Sequence, residues 1–308
     1  MTALIVHRYQ FECRLNSKLI LNEYSGSMLR GAFGHALRTL ACVTKMDNCS
    51  QCLLNKQCSY AQIFEPPVPK VSELQSFNAV PRPFVIEPPV MGGLTLQQGE
   101  TFYFHMVLIG SQTIELLAFI IEAWKLALQH GLGKNKTTAC LEAVYYKPNN
   151  ELTRQLTYHR DHPHLLAVKP QPSVDLEGAD QVTIKLLTPL RIQQKKQILS
   201  DTMTAKDFLI ALVRRYYLLD EFYGHDYQAP NFALLSEAAM KIVCINDFKP
   251  YQWQRYSTRQ KQAMTFNGVL GTLRLSGELS VFLPLLVLGQ WIHVGSKTTF
   301  GMGHYEIV

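Results

Sequence analysis

Residues 3 to 13, ALIVHRYQFEC, set β-branched and aromatic side chains in partial alternation, which predicts a strand. After Asn22 and Gly26 the period changes. Met28, Leu29, Ala32, Phe33, Ala36, Leu37 and Leu40 recur at helical spacing in SMLRGAFGHALRTLAC, an amphipathic helix that tolerates two glycines. Residues 65 to 93 are rich in proline and glycine, and their extended segment FNAVPRPFVIEPPV can pair only at a sheet edge or with interruptions. ETFYFHMVLIG (100 to 110) predicts a further strand, residues 113 to 130 an apolar helix, and GLGKNKTTACLEAVYY a glycine and lysine loop running into a strand. The order is strand, helix, strand, strand, helix, strand.

Residues 147 to 180, with PNN, HRDHPH, KPQP and EGAD, are polar and proline-containing and read as a linker with room for one short strand. The second half then repeats the plan. QVTIKLLTPLRI is a strand, and Thr204 to Gly224 a helix opened by a Thr-x-x-Asp box at Thr204 and Asp207. Strand candidates follow near Cys244 to Tyr256 and Ala263 to Gly277, then the apolar helix LSVFLPLLVLGQWIHV, a second glycine and lysine loop, and the strand HYEIV. Each half is βαββαβ, of a size suited to one ferredoxin-like domain. The halves share architecture and little residue identity, so two unrelated α+β domains are the competing reading.

Length and composition agree with this plan. The 308 residues allow two domains, and 47% hydrophobic with 18% charged residues is the balance of an ordered globular chain. The longest apolar stretches, 116 to 128 and 281 to 292, are interrupted and fall short of the roughly 20 residues of a membrane span. The first ten residues lack the layout of a secretory signal, so a soluble, cytoplasmic protein is expected. A net charge of +6 is compatible with a polyanionic partner and is weak support by itself.

The cysteines carry a more specific signal. Four of seven, Cys42, Cys49, Cys52 and Cys58, stand as C-x6-C-x2-C-x5-C in an otherwise polar stretch. A C-x2-C turn brings two thiolates onto one tetrahedral ion, and two flanking cysteines can close a structural zinc site. An iron–sulfur cluster takes similar ligands. The bland alternative is four reduced thiols, Cys42 simply ending the apolar stripe of the first helix.

Two further patterns bear on chemistry. HVGSKTTFGMGHYEI places Gly295, Gly301 and Gly303 around Lys297, Thr298 and Thr299, and glycines let a backbone expose its N–H groups to a phosphate while lysine adds a point charge. It matches neither a P-loop nor a dinucleotide fingerprint and can equally be a plain turn. GLGKNK, with Lys134 and Lys136, holds the equivalent place in the first half. In the first helix, Gly31, Gly34 and Arg38 fall opposite the apolar stripe, bordered by Arg30 and His35. Such a bare surface would admit a nucleic-acid backbone or another protein segment. His293 and His304 flank the C-terminal loop and compete with His35 for a catalytic role, whereas His159, His162 and His164 read as a solvated loop.

SMLRGAFGHALR, the cysteine run closing as CSYAQIFEPP, and HVGSKTTFGMGHYEI together resemble the CRISPR-associated precursor-crRNA processing endoribonucleases of the RAMP superfamily, the Cas six group. The resemblance covers nearly the whole chain. It implies an α+β fold of tandem ferredoxin-like, RRM-like domains, here 1–146 with the cysteine-rich insertion at 42–58, a linker at 147–180, and 181–308. It also implies binding of CRISPR repeat RNA and a single cut made without a catalytic metal, by attack of the ribose 2′-hydroxyl that leaves a 2′,3′-cyclic phosphate and a 5′-hydroxyl. The residue matching the family's histidine by position is His35. Tyr24 is a second candidate for proton transfer or positioning, and Lys45 or Arg38 for charge stabilisation. RNA contacts are expected from Arg30, Arg38, Lys134, Lys136, Arg191, Lys195, Lys196, Gly295, Lys297, Thr298, Gly301 and Gly303. Other CRISPR effector subunits are further candidate partners. The alternatives are a non-catalytic RAMP subunit that grips crRNA, and a zinc-stapled protein-interaction module.

Overall fold

The computed structural model describes residues 4–68, 80–89, 92–148, 153–168, 176, 178–194, 197–200, 202–257 and 262–308, with backbone alone along 254–257 and 262–265. The chain forms two compact units, Met1–Gln171 with Leu218–Ala229, and Pro172–Tyr217 with Pro230–Val308.

In the first unit the elements run β1 (Val6–Leu15), β2 (Leu19–Leu21), α1 (Gly26–Ala41), α2 (Ser59–Phe64), β3 (Phe84–Glu87), β4 (Leu94–Leu96), β5 (Thr101–Ile109), α3 (Ser111–Glu115), α4 (Leu117–His130), β6 (Ala139–Tyr146) and β7 (Gln155–His159). The sheet order is β3-β5-β1-β6-β7, antiparallel throughout, and β2 pairs with β4 in a separate ribbon. Its first four strands, with α1 and α4 as the crossovers, reproduce the ferredoxin-like order.

Alternation along β1 decides the faces. Tyr9, Phe11, Cys13 and Leu15 enter the main core, where Phe11 stacks on Phe104 at 5.0 Å and Trp124 of α4 lies 4.3 Å from Phe104. Arg8 and Gln10, on the opposite face, are also buried. The Arg8 guanidinium donates to both carboxylate oxygens of Glu87 on β3, from Nε at 2.9 and 3.2 Å and from Nη2 at 2.7 Å.

The second unit contains β8 (Gln181–Leu186), the hairpin β9 (Gln193–Gln194) and β10 (Gln197–Ile198), α5 (Ala205–Tyr223, grouped with the first unit from Leu218), α6 (Phe232–Met240), β11 (Val243–Asn246), β12 (Lys249–Ser257), β13 (Gln262–Leu270), β14 (Thr272–Ser276), α7 (Leu283–Ile292) and β15 (Tyr305–Ile307). The sheet order β11-β14-β8-β15 is the same ferredoxin-like arrangement. At the start of α5 the expected box forms, with Thr204 N–H donating to Asp207 Oδ2 at 3.0 Å and Asp207 N–H to Thr204 Oγ1 at 3.2 Å.

Within 147–180, Gln155–His159 takes the place of the one short strand the segment left room for and pairs with β6 as the fifth strand of the first sheet. Two expectations are corrected. Each long strand candidate of the second half is two strands. Cys244 to Tyr256 breaks after Asn246 and Ala263 to Gly277 breaks at Gly271, whose positive φ of 138° turns the chain while Asp247 Oδ1 accepts from Thr272 N–H at 2.5 Å. The outer pieces, β12 and β13, form their own nine-residue-paired hairpin. The helix α6 stands where no element was expected, capped by Asn231, whose side chain accepts from Leu234 N–H at 3.2 Å.

Candidate active site and nucleic-acid interface

The helix α1 turns Leu29, Phe33, Ala36 and Leu37 into the core, and Phe33 stacks on Trp124 of α4 at 5.1 Å. This packing sets α4 beside α1 and fixes what their exposed edges share. His35 is exposed on α1, and His130, the last residue of α4, is exposed with its ring centroid 6.1 Å away, the planes inclined at 50°. The expected list contained His35 and lacked His130, which has no signal in the sequence beyond its place before Gly131.

The loop after His130 is closed by the backbone. Leu132 N–H donates to Thr137 O at 2.7 Å, Thr137 N–H returns to Leu132 O at 3.0 Å, and Thr137 Oγ1 donates to Lys18 O at 2.7 Å. A Cβ on Gly131 would strike the Lys136 backbone, so only glycine closes this turn. The result is a short rigid loop that holds Lys134 and Lys136 exposed, starting one residue from the histidine pair.

The glycine face of α1 does not all lie open. Gly31 has open space above it, but a Cβ on Gly34 would overlap the ring of Phe64 on α2. The bare surface therefore receives a protein segment at Gly34. Arg30 is engaged by the same ring, its guanidinium 4.3 Å from the Phe64 ring centre. Arg38 donates from Nη2 to Met46 O at 2.5 Å and Asp47 O at 3.2 Å, so it ties down the cysteine-bearing turn. Tyr24 is buried, whereas Lys45 is exposed in that turn with a left-handed φ of 55°.

The four cysteines sit at element ends: Cys42 follows α1, Cys49 opens a 3-10 turn (Cys49–Gln51), Cys52 ends it, and Cys58 precedes α2. All four line one hollow of about 260 Å³. Slight desolvation pushes the Cys42 thiol up, but the Lys45 N–H, the Thr44 hydroxyl and the Arg38 guanidinium together bring it below its ordinary range. Burial and then the Glu65 carboxylate push Cys49 the other way.

In the C-terminal loop two of the three glycines pack against the chain's own backbone. A Cβ on Gly303 would strike the Val294 backbone and one on Gly295 the Arg191 carbonyl, so both glycines allow close approach of the chain to itself. Gly301, Gly303 and Thr298 are buried, and Thr188 Oγ1 donates to Gly301 O at 2.7 Å. Lys297 is exposed and Arg191 half-buried, donating from Nη1 to Gln193 at 3.1 Å. Lys195 and Lys196 lie outside the described residues. His293 and His304 are buried, their rings stacked at 4.6 Å, which leaves His35 the more accessible of the three histidines. The residues of HRDHPH are exposed except for the half-buried His159.

The two sheets define a tandem ferredoxin-like fold, with an exposed histidine pair at the α1–α4 edge and a lysine loop beside it. Residues 4–171, more than half the chain, match the family model described as AF_1859_N, N-terminal domain, and residues 184–305 match that of the CRISPR-associated endoribonuclease Cas6. By the model that matches more than half of it, the chain belongs to the AF_1859_N family, and its residues 184–305 are similar to the Cas6 endoribonuclease domain. An uncharacterized protein of Archaeoglobus fulgidus is 25% identical over 96% of both chains. Among solved structures, a product complex of Thermus thermophilus Cas6 (TTHB231) aligns with a TM-score of 0.58 at 15% identity, covering 99% of this chain and all of that one. A product complex of the Cas6 TTHA0078 aligns at 0.53 and 15% identity, covering 98% and 99%. In a partial Cas6-RT-Cas1–Cas2 complex the score is 0.57 at 14% identity, and this chain spans 46% of the longer neighbour. Among the described residues no helix is long and apolar enough to cross a membrane.

Proposed function

We propose that the protein binds CRISPR repeat RNA and cuts precursor crRNA with His35 and His130 as its proton-transfer groups. The observation that carries this reading is their 6.1 Å separation on an exposed edge of a chain whose residues 184–305 are similar to the Cas6 endoribonuclease domain. In a 2′-hydroxyl attack, the nucleophile and the departing 5′-oxygen lie on opposite sides of the phosphorus. One imidazole takes the 2′-hydroxyl proton, the 2′-oxygen bonds to phosphorus as the P–O5′ bond breaks, and the other imidazole protonates the departing oxygen. A 2′,3′-cyclic phosphate and a 5′-hydroxyl result, and no metal ion is needed.

Lys134 and Lys136 supply cations within one short loop of the histidines, placed to hold phosphates and to offset charge on the phosphoryl oxygens. Lys297 is the exposed cation of the C-terminal loop and joins the RNA contacts. Tyr24, being buried, is the weakest of the expected catalytic residues, and Lys45 keeps an open position in the cysteine turn. The experiment is incubation of the purified protein with repeat RNA in EDTA, beside an RNA carrying a 2′-deoxy substitution at the cut site. Cleavage of the first alone supports the proposal. Binding without cleavage replaces it with a crRNA-gripping subunit, and neither binding nor cleavage with a protein-interaction module.

A further inference from the structure

We infer that Cys42, Cys49, Cys52 and Cys58 bind one structural zinc ion in the hollow they line between the end of α1 and the start of α2. The argument begins from what does not hold this turn in place. From Cys42 to Ser59 no residue is fully buried, Val43 and Leu53 are strongly exposed, and Cys49 and Cys58 are partly buried against the main core. A stretch of this length with so little apolar burial is stabilised by a further cross-link. The hydrogen bonds of this segment are mostly local turns: the N–H groups of Gln51, Cys52, Asn55 and Gln57 each donate to a carbonyl three residues back, Asn55 Nδ2 donates to Cys49 O at 2.6 Å, and Arg38 holds the carbonyls of Met46 and Asp47.

Against that background, the four cysteines line a single hollow of about 260 Å³ from four separate element ends, with no three of their sulfurs yet within 4.8 Å of one another. All four are free and partly accessible, so an ion can reach them. All-sulfur, four-ligand coordination selects a soft or borderline ion, and a closed tetrahedral set is the habit of structural zinc. On binding, the thiols release their protons to solvent and the sulfurs draw in to about 2.3 Å from the ion. Four thiolates around a dication leave an excess of two negative charges, and Arg38 stands against this segment as a cation. The site lies off the histidine pair and holds α2 against α1, which makes its role structural. This inference stands on the cysteine segment alone and is independent of the nuclease reading.

The test is metal analysis of the full-length protein purified under reducing conditions with zinc supplied. About one zinc per chain is expected, retained in Cys140→Ser and Cys244→Ser and lost in the Cys49→Ser, Cys52→Ser double variant. Because that variant can fail to fold, titrating the thiols of a Cys140→Ser, Cys244→Ser variant with a mercurial gives a second measurement, in which zinc release should be complete after about four equivalents. Absence of stoichiometric metal, or zinc that survives in the double variant, overturns the inference. So does iron with acid-labile sulfide and visible absorption, which would make the site an iron–sulfur centre.

Discussion

His35 and His130 come from helices separated by three strands in the sequence, yet their imidazoles stand 6.1 Å apart at one exposed edge. The stacking of Phe33 on Trp124 behind them is what holds the two helices in this relation. Close placement of proton-transfer groups by a packed core is the general condition for acid–base catalysis.

If these histidines divide the roles of acid and base, His35→Ala and His130→Ala should each lower the single-turnover cleavage rate at least about a hundredfold while repeat binding is kept. The double variant should lose much less than the product of the two, because they serve one step. Near-normal cleavage by His130→Ala, with His35→Ala inactive, would leave His35 working with a different partner.

The lysine loop predicts a salt signature. Replacing Lys134 and Lys136 together by Ala should weaken RNA binding and flatten its dependence on salt, by about 0.7 in the log–log slope for each phosphate of single-stranded RNA that is no longer neutralised. Binding titrations across a range of ionic strength measure it, and an unchanged slope would remove the loop from the interface.

The two glycines of α1 should respond in opposite senses to the same change. Gly31→Ala meets open space in a helix interior and should stabilise the protein by about 1 kcal/mol. Gly34→Ala drives a methyl group into the Phe64 ring and should cost about 1–3 kcal/mol as α2 is displaced. Denaturant unfolding of the two variants side by side tests both.

Arg8 and Glu87 form a buried ion pair, each less than 5% exposed. Glu87→Ala should cost about 3–5 kcal/mol, because it leaves a guanidinium uncompensated. Arg8→Met combined with Glu87→Leu should cost less than that single change, since it removes both charges.

His105, on β5 beside this pair, is held neutral by burial and by the Arg8 charge against the pull of Glu87, its pKa lowered to about 3. The folded protein therefore binds fewer protons here than the unfolded chain. The stability this contributes is fully present above about pH 6.5 and is lost as pH falls from 6.5 toward 3. Unfolding measured at pH 7.5 and pH 4.5 should show a larger loss for the wild type than for His105→Gln.

Much of the fold was legible because its central elements carry strong periods. The alternation of β1, the stripe of α1, and the apolar runs of β5, α4 and α7 each fall where the pattern places them. The misses have identifiable causes. In the second half, continuous strand-like composition masked breaks that Asp247 and Gly271 create through a side-chain hydrogen bond and a positive φ. In the polar, proline-rich segment 147–180 the sequence left room for one short strand without fixing its place, because the partner β6 of Gln155–His159 is chosen by the sheet.

The face of α1 that carries the candidate residues was legible in the sequence, and its surroundings were not. A helical wheel places Gly31 and Gly34 on one face, but only the folded chain shows that Phe64, thirty residues on, covers the second. His130 acquires interest from α1–α4 packing, a relation no local pattern encodes. In the C-terminal loop, glycines suited to a phosphate and glycines suited to the chain's own backbone look alike in sequence.

The position of the cysteine turn bears on how far it can vary. It lies in the connection between α1 and β3, and β3 is an edge strand, so none of its residues takes part in the hydrogen-bond ladder of the first sheet. Lengthening such a connection costs only about 0.6 kcal/mol for each doubling. The length of this turn can therefore change while the sheet keeps its register.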